Sequence, residues 1–315
     1  MQLTWTPSPV SDEKAFAAMK AATDAGATAW SSATFYGNPG HQMDNIALIG
    51  RFFKKYPEYK DKVSLVIKGG VDESLHPIND LEANRALLKE TQELLGADVP
   101  ISVYLPARLD LAQGKADPVK YMAPFDELRK EGLFGALGVS EVRVETLEKL
   151  ATAYSLAVVE IEVSLWSYEQ EIQDVIAWST KTGTPVFAYS PLGRGFITRT
   201  YKTPEDIPEG SFQRYVPRFQ GDAFYHNLKL VDQLDAIAAQ RNLTTAQLAI
   251  AWVASRGPNV IPIPGSSNPE RAQQNVESAS IELSPEDTKA IDDMLAQFDL
   301  KGGRYPAAAS DHLMI

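Results

Sequence analysis

Residues 260–275, VIPIPGSSNPERAQQN, combine features that suit the binding of a phosphate group. The apolar start predicts a short buried strand, and Asn268 followed by Pro269 is typical of the first positions of a helix. Arg271 and Asn275 lie four residues apart and therefore share one face of that helix. Because a helix N-terminus attracts anions and an arginine can bind a phosphate through two parallel hydrogen bonds, this segment predicts an anion site.

The ligand that this segment favours is an adenosine 2′-phosphate, the group that marks NADPH. Gly265, Ser266 and Ser267 are small enough for a phosphate to approach the backbone N–H groups, and an asparagine such as Asn275 can bind an adenine edge. The alternative is an ordinary surface turn and a helix that carries a solvated arginine.

Composition excludes several classes of function. The 315 residues include 30 Lys and Arg against 41 Asp and Glu, a net charge of −11, which argues against nucleic acid or an anionic membrane as a partner. The absence of cysteine excludes disulfides, thiolate metal sites and a cysteine nucleophile, and no metal-ligand spacing is present, so we expect no metal. With no signal-peptide pattern at the start and no apolar run near the roughly 20 residues of a membrane span, a cytoplasmic protein is expected.

Short apolar runs alternate with amphipathic helical segments along the chain. Eight such units predict a (β/α)₈ TIM barrel, formed by residues 1–315 as a single domain with a long irregular loop at Arg199–Phe224 after the seventh strand. A doubly wound sheet is the alternative, but it would more often have a Gly-rich loop after its first strand, and none follows Trp5. The predicted strands are Gln2–Trp5, Thr28–Trp30, Val63–Ile67, Ile101–Leu105, Ala136–Val139, Val158–Val163, Pro185–Tyr189 and Val260–Ile263.

In such a barrel the chemistry gathers at the C-terminal ends of the strands. Tyr36, Lys68 and Ser140 follow strands two, three and five, and strand six carries Glu160 and Glu162. The two glutamates resemble a pair of glycosidase acids only weakly, because they lie on one strand in an acid-rich chain.

Seven motifs together resemble the aldo-keto reductases, and within them the pyridoxal reductase-like group. The subgroup depends chiefly on ARLD, IKGG and VPRFQ (216–220). The motifs are FYG (35–37), IKGG (67–70), ARLD (107–110), LGVSEV (137–142), EIEVSLWS (160–167), AYSPLGRGF (188–196) and IPIPGSSNPERAQQN (261–275). The resemblance implies a TIM barrel that holds NADPH across its C-terminal face and transfers a hydride to an aldehyde or ketone, with pyridoxal to pyridoxine as the leading reaction.

The resemblance also implies roles for individual residues. The Tyr36 phenol would donate the proton, and the Lys68 ammonium would lower the pKa of that phenol from its usual value near ~10. Tyr189 would stack on the nicotinamide, Ser140 would bind the carboxamide, and Glu160 stands where a glutamine is usual. The other implied cofactor contacts are Ser190, Leu192, Gly193, Arg194, Gly195, Gly265, Ser266, Arg271, Gln274 and Asn275.

Two positions depart from the aldo-keto reductase pattern. Ser31 replaces an aspartate that normally pairs with the lysine, so we expect Lys68 to lose its charged partner. Ala107 replaces a histidine that orients the carbonyl oxygen, and no nearby residue clearly substitutes for it. Turnover is therefore expected to be slow, and an NADPH-binding regulatory or channel-subunit-like barrel is the alternative function. Relatives usually begin with a short β-hairpin that covers the N-terminal end of the barrel. Because the first predicted strand here is Gln2–Trp5, we expect no such hairpin before Trp5.

Overall fold

A curled parallel sheet surrounded by helices forms the protein in a computed structural model that describes residues 1–109, 117–306 and 313–314. Asp110, the last residue of the ARLD motif, lies outside these ranges. Each strand pairs in parallel with the next one along the chain. The strands are β1 Ala29–Ala33, β2 Ser64–Gly69, β3 Val103–Pro106, β4 Ala136–Ser140, β5 Leu156–Glu162, β6 Val186–Tyr189 and β7 Val260–Pro262.

Amphipathic helices connect the strands and cover the outside of the sheet. α1 packs against α9, so the helical layer continues from the β7 side to the β1 side. The helices are α1 Asp12–Asp24, α2 Asp44–Lys55, α3 Leu81–Leu95, α4 Pro118–Lys130, α5 Val144–Ala151, α6 Gln170–Thr182, α7 Gly221–Gln240, α8 Thr245–Ala254, α9 Pro269–Ser278 and α10 Pro285–Gln297. None of the helices in the described ranges is long and apolar enough to cross a membrane.

One hydrogen bond demonstrates how far the sheet curls. Ser31 of β1 donates to Glu160 of β5 at 2.7 Å, although β5 is four strands away, roughly 19 Å across a flat sheet. Side chains at these two positions can meet only if the strands wrap around a common interior. The barrel class predicted from the sequence is therefore confirmed, with seven strands in the described residues rather than eight.

The predicted strand at Gln2–Trp5 is wrong. The N–H groups of Thr4 and Trp5 both donate to the Met1 carbonyl, at 3.2 and 2.8 Å, which makes a turn. The Thr4 hydroxyl donates to the Tyr36 carbonyl at 2.6 Å, and the Trp5 ring stacks on the Tyr36 ring with centroids 6.0 Å apart. Local hydrogen bonds thus satisfy this segment and fix it beside Tyr36, outside the sheet.

The inner face of the sheet has an apolar layer below a polar one. Val66, Leu105, Val158 and Phe187 form a buried cluster separate from the larger core between sheet and helices. Because side chains alternate along a strand, the residues two positions further on face the same interior. These residues are Lys68, Ala107, Glu160 and Tyr189. The strand pattern therefore places them together at the barrel mouth, meaning the C-terminal strand ends and the loops that follow.

The long connection after β6 contains only short 3₁₀ turns before α7 begins at Gly221. These turns span Gly193–Gly195, Pro204–Asp206, Phe212–Tyr215 and Pro217–Phe219. The irregular loop predicted at Arg199–Phe224 therefore ends a few residues earlier than expected.

Candidate active site

Lys68, Glu160 and Ser31 form a closed triangle of polar contacts inside the barrel. Lys68 Nζ lies 2.8 Å from Glu160 Oε1 and donates to Ser31 Oγ at 2.8 Å, while Ser31 Oγ donates to Glu160 Oε2 at 2.7 Å. Lys68 is 4% exposed and Glu160 is 2% exposed. Burial lowers the pKa of the Lys68 ammonium, whereas the Glu160 carboxylate and the Tyr36 phenol raise it by a larger amount. The net shift of the Lys68 pKa is therefore upward. Lys68 is thus held in its charged form.

This triangle corrects the expectation that Lys68 lacks a charged partner. Ser31 carries no charge, as expected, but Glu160 reaches across the barrel and supplies the carboxylate. Glu160 is also one of the residues predicted to contact the cofactor, and in the structure its two oxygens contact Lys68 and Ser31. The pairing also explains how an acid is tolerated here, since a buried carboxylate needs a compensating charge.

Tyr36 lies beside this triangle. Its ring centroid is 5.0 Å from Lys68 Nζ. Burial raises the pKa of the Tyr36 phenol, the Lys68 ammonium lowers it, and the Glu160 carboxylate raises it again, with an upward net shift. The predicted effect of Lys68 therefore has the right direction, but burial outweighs it. The phenol is neutral at physiological pH and holds a proton that it can donate.

A second charge network covers the mouth. Arg304 donates to Glu141 at 2.9 Å and to Glu162 at 3.2 Å, and Arg194 donates to Glu162 at 2.8 Å. Arg194 also donates to the Arg304 carbonyl at 2.9 Å, and its guanidinium lies 4.4 Å from the Tyr305 ring centroid. Burial raises the pKa of Glu141, but the Arg304 and Arg108 guanidinium groups lower it more, so this carboxyl stays ionised.

The network engages two of the residues predicted to contact the cofactor, Tyr189 and Arg194. The Tyr189 hydroxyl donates to Glu141 at 2.7 Å and lies 3.0 Å from the Tyr305 hydroxyl. Arg194 is committed to Glu162, so a phosphate contact would need that pair to open. Glu141, Ser190 and Arg194 have φ of 55°, 54° and 56°, in the left-handed region that costs non-glycine residues roughly 1–3 kcal/mol each. Backbone strain of this kind therefore occurs in the segments that follow β4 and β6.

Arg304 and Tyr305 are the site residues that sequence reasoning did not assign. They come from the segment after α10 and close over the mouth through Glu141, Glu162 and Tyr189. The available signal was the run Gly303-Arg304-Tyr305, where the family resemblance extends past the last helix.

Gly69 shows why the IKGG motif needs small residues. A Cβ on Gly69 would lie 2.0 Å from the Tyr104 hydroxyl, a distance that no pair of atoms tolerates. The absent side chain lets the fully buried Tyr104 ring pack beneath the strand end that carries Lys68.

The other predicted region, Gly265–Asn275, is open. Asn268 accepts from the Arg271 N–H at 2.8 Å and Pro269 opens α9, which confirms the predicted helix start. Ser266 Oγ is held by the Asn268 backbone, with both contacts at 3.1 Å. Arg271 and Gln274 are exposed, and Asn275 is buried on the same face as Arg271. Across the described ranges the Arg271 guanidinium has no carboxylate within 4.0 Å.

A family model and individual relatives both match this chain to the aldo/keto reductases. The model of the aldo/keto reductase family matches residues 1–296. "Aldo-keto reductase yakc [NADP(+)]" from Schizosaccharomyces pombe is 31% identical over 98% of this chain and 90% of its own length. A putative pyridoxal reductase from Saccharomyces cerevisiae is 29% identical over 98% of this chain and 94% of its own.

Solved structures share the fold. A glycerol dehydrogenase from Gluconobacter oxydans superposes with a TM-score of 0.78 at 22% identity, covering 94% of this chain and 89% of its own. An aldo-keto reductase from Bombyx mori in complex with NADP gives a TM-score of 0.67 at 20% identity, covering 93% of this chain and 86% of its own.

Proposed function

The chain belongs to the aldo/keto reductase family of NADP-dependent oxidoreductases that act on carbonyl groups, and we propose that its substrate is pyridoxal, reduced to pyridoxine. The observation that carries the chemistry is the neutral Tyr36 phenol beside a Lys68 ammonium fixed by Glu160. The choice of pyridoxal draws on two relatives, the putative pyridoxal reductase of Saccharomyces cerevisiae and the probable pyridoxal reductase 2 of Schizosaccharomyces pombe, at 29% and 28% identity.

In this proposal Tyr36 is the general acid. Its phenol donates a proton to the carbonyl oxygen as a hydride reaches the carbonyl carbon, so aldehyde, NADPH and a proton give alcohol and NADP⁺. The Lys68 ammonium stabilises the tyrosinate that remains, because a positive charge at this range favours the ionised phenol. Glu160 and Ser31 hold Lys68 in place and keep it charged.

The open segment after β7 fits a cofactor that carries an adenosine 2′-phosphate. A Cβ on Gly265 would meet nothing closer than Gln2 Cγ at 3.7 Å, so the turn has room for a bound group. Arg271 is exposed beside the N-terminus of α9 and offers a guanidinium to the 2′-phosphate, with Ser266 as a neutral neighbour. Gln274 and Asn275 would face the adenine. When bound, NADPH supplies the hydride.

The remaining predicted contacts lie in or after β4 and β6. Ser140, Tyr189, Ser190, Leu192, Gly193 and Gly195 surround the mouth at the ends of β4 and β6. Gly193 has φ of 57°, and a Cβ there would lie 2.8 Å from Trp166 Nε1, so this loop position favours glycine. We propose these residues as the nicotinamide and pyrophosphate contacts.

The test is a steady-state assay that follows NADPH absorbance with pyridoxal, pyridine-4-carbaldehyde, benzaldehyde and glyceraldehyde. We expect pyridoxal to have the highest kcat/KM of the panel and pyridoxine to be the product. A higher kcat/KM for any other member would overturn the assignment of pyridoxal. NADPH fluorescence enhancement without turnover of any aldehyde would instead support the non-enzymatic alternative.

A further inference from the structure

Arg108 is a cation at the barrel mouth whose hydrogen-bonding capacity is mostly unused. It follows β3, where the Ala107 N–H donates to the Gly69 carbonyl at 2.8 Å and so continues the pairing with β2. The guanidinium is partly buried and donates from Nη1 to the Ala107 carbonyl at 2.6 Å. A guanidinium has five N–H donors, and within residues 1–109, 117–306 and 313–314 most of those of Arg108 have no acceptor and are available for a ligand.

Three other cations of the mouth, the buried Lys68 and the partly buried Arg194 and Arg304, are paired with carboxylates. Lys68 pairs with Glu160, Arg194 with Glu162, and Arg304 with both Glu141 and Glu162. Arg108, in contrast, has no carboxylate within 4.0 Å among residues 1–109, 117–306 and 313–314. A partly buried cation without a partner is costly, so an acceptor from a ligand would stabilise it.

The surroundings of Arg108 show where that ligand would lie. Its guanidinium is within electrostatic range of Tyr36, Tyr189, Tyr305 and Glu141, which come from four different elements around the mouth. Its place directly after β3 and these neighbours put it at the barrel mouth. Burial lowers the pKa of Arg108, but the Tyr189 phenol and the Glu141 carboxylate raise it more, so the group stays charged.

Two of the tyrosines near Arg108, Tyr36 and Tyr305, each pack against a further aromatic ring. Trp5 stacks on Tyr36 with centroids 6.0 Å apart, and Phe212 packs against Tyr305 at 5.4 Å. Such rings favour a planar, aromatic substrate over a small aliphatic one.

We propose that Arg108 binds an oxygen substituent on the ring atom next to the carbonyl carbon, which makes the enzyme selective for ortho-hydroxy aromatic aldehydes. This inference rests on the proposed carbonyl reduction and deepens it. Pyridoxal belongs to this substrate class, since its ring hydroxyl is adjacent to the aldehyde. Tyr36 would face the carbonyl oxygen, and Arg108 would fix the rotation of the aldehyde by holding the neighbouring oxygen. Such a contact supplies positioning at a site where the Ala107 side chain cannot form a hydrogen bond.

The test compares matched aldehydes in the wild type and in Arg108→Gln. We expect the wild type to prefer salicylaldehyde to benzaldehyde and to 3-hydroxybenzaldehyde, which has the same atoms with the hydroxyl moved. Loss of one charge-assisted hydrogen bond should lower kcat/KM for salicylaldehyde about tenfold to hundredfold more than for benzaldehyde. Arg108→Lys should recover part of the preference, because it keeps the charge but not the planar donors.

One control variant tests whether the effect is specific to Arg108. Arg129→Gln, on the outer surface of α4, should leave the substrate preference unchanged, because Asp126 keeps its pair with Lys130. Equal losses for salicylaldehyde and benzaldehyde in Arg108→Gln, or no ortho preference in the wild type, would overturn the proposal. Faster turnover of glyoxylate, a small non-aromatic aldehyde that carries a carboxylate, than of salicylaldehyde would also overturn the proposal. If pyridoxal is not reduced but the ortho preference holds, the choice of pyridoxal fails and the role of Arg108 stands.

Discussion

The mouth of the barrel and the turn before α9 represent two different ways of preparing a site for a ligand. At the mouth, three carboxylates and three cations are buried and already paired, through Lys68–Glu160 and the network of Arg194 and Arg304 with Glu141 and Glu162. At the turn, Arg271 is exposed and has no carboxylate partner among the described residues. The charged groups proposed to assist the chemistry are thus held by partners within the fold, while Arg271, the proposed phosphate-binding residue, has no such partner among the described residues.

Burial explains the difference. A carboxylate or ammonium inside the barrel cannot rely on water, so it needs a partner in the fold, and that partner also fixes its position. An exposed arginine is stabilised by water, so it can remain without a partner at little cost in stability until a phosphate binds. Substitutions at the mouth should therefore disturb both position and protonation, whereas those at the turn should change only affinity for one group of the cofactor.

The largest effect is expected from Tyr36→Phe. This change removes the proposed acid but keeps the ring that stacks on Trp5. General acid catalysis contributes about 10²- to 10⁴-fold, so kcat for reduction should fall by that factor while the Kd for NADPH stays within about twofold. Stopped-flow absorbance and NADPH fluorescence titration measure the two quantities.

Tyr305→Phe is the matched control for Tyr36→Phe. The Tyr305 hydroxyl lies 3.0 Å from that of Tyr189 and its phenol also affects the pKa of Tyr36, so it is a second phenol close to Tyr36. A smaller loss is expected for Tyr305→Phe. If Tyr36→Phe keeps the wild-type rate, Tyr36 is not the acid, and the loop residue His41 becomes the first alternative to test.

Glu160→Gln should produce the second largest effect. The Glu160 carboxylate raises the pKa of Lys68, so its removal lowers that pKa, and Lys68 loses its proton at a lower pH than in the wild type. The alkaline fall in kcat/KM should move to lower pH accordingly. Loss of positioning should also reduce kcat/KM by up to about 10²-fold at neutral pH. A pH–rate profile separates the two effects.

Glu162→Gln provides the comparison for that profile. Glu162 is equally buried, lies two residues further along β5, and pairs with Arg194 and Arg304 instead of Lys68. Its replacement should lower the melting temperature without moving the alkaline limb. If the alkaline fall in kcat/KM moved by the same amount in both variants, it would reflect general damage to the mouth and not the pKa of Lys68.

Much of this architecture could be predicted from the sequence, because its signals are local. Short apolar runs between amphipathic helical segments predicted β1 to β7, with ends within about three residues of those observed. Asn268 and Pro269 predicted the start of α9. The segment Gln2–Trp5 misled the prediction, because Leu3 and Trp5 alternate as they would in a strand. What prevents a strand there is the anchoring of Thr4 and Trp5 on Tyr36, a contact over more than thirty residues.

The pairing of Lys68 could not be predicted for a related reason. Ser31 and Lys68 come from adjacent strands, and sequence order suggests only Ser31 as the partner. Glu160 becomes the partner because the sheet curls until β5 faces β1 and β2 across the interior. An aspartate introduced at position 31 would lie beside Glu160, and the repulsion of two buried carboxylates would offset what it adds to Lys68. Restoring the usual aspartate is therefore not expected to speed this enzyme.

The smallest effect, confined to affinity, is expected from Arg271→Ala. Because this guanidinium is exposed and has no carboxylate within 4.0 Å in the described ranges, its removal should leave the fold and the mouth intact. Loss of a charge-assisted contact to the 2′-phosphate should weaken NADPH binding by roughly 1.5–3 kcal/mol, or about tenfold to hundredfold in Kd. NADH binding should change little in Arg271→Ala. The control is Gln273→Ala, which alters an exposed residue on a different face of α9 and should leave NADPH binding nearly unchanged. Fluorescence titration with both cofactors measures this, and equal weakening of NADPH and NADH in Arg271→Ala would place the 2′-phosphate elsewhere.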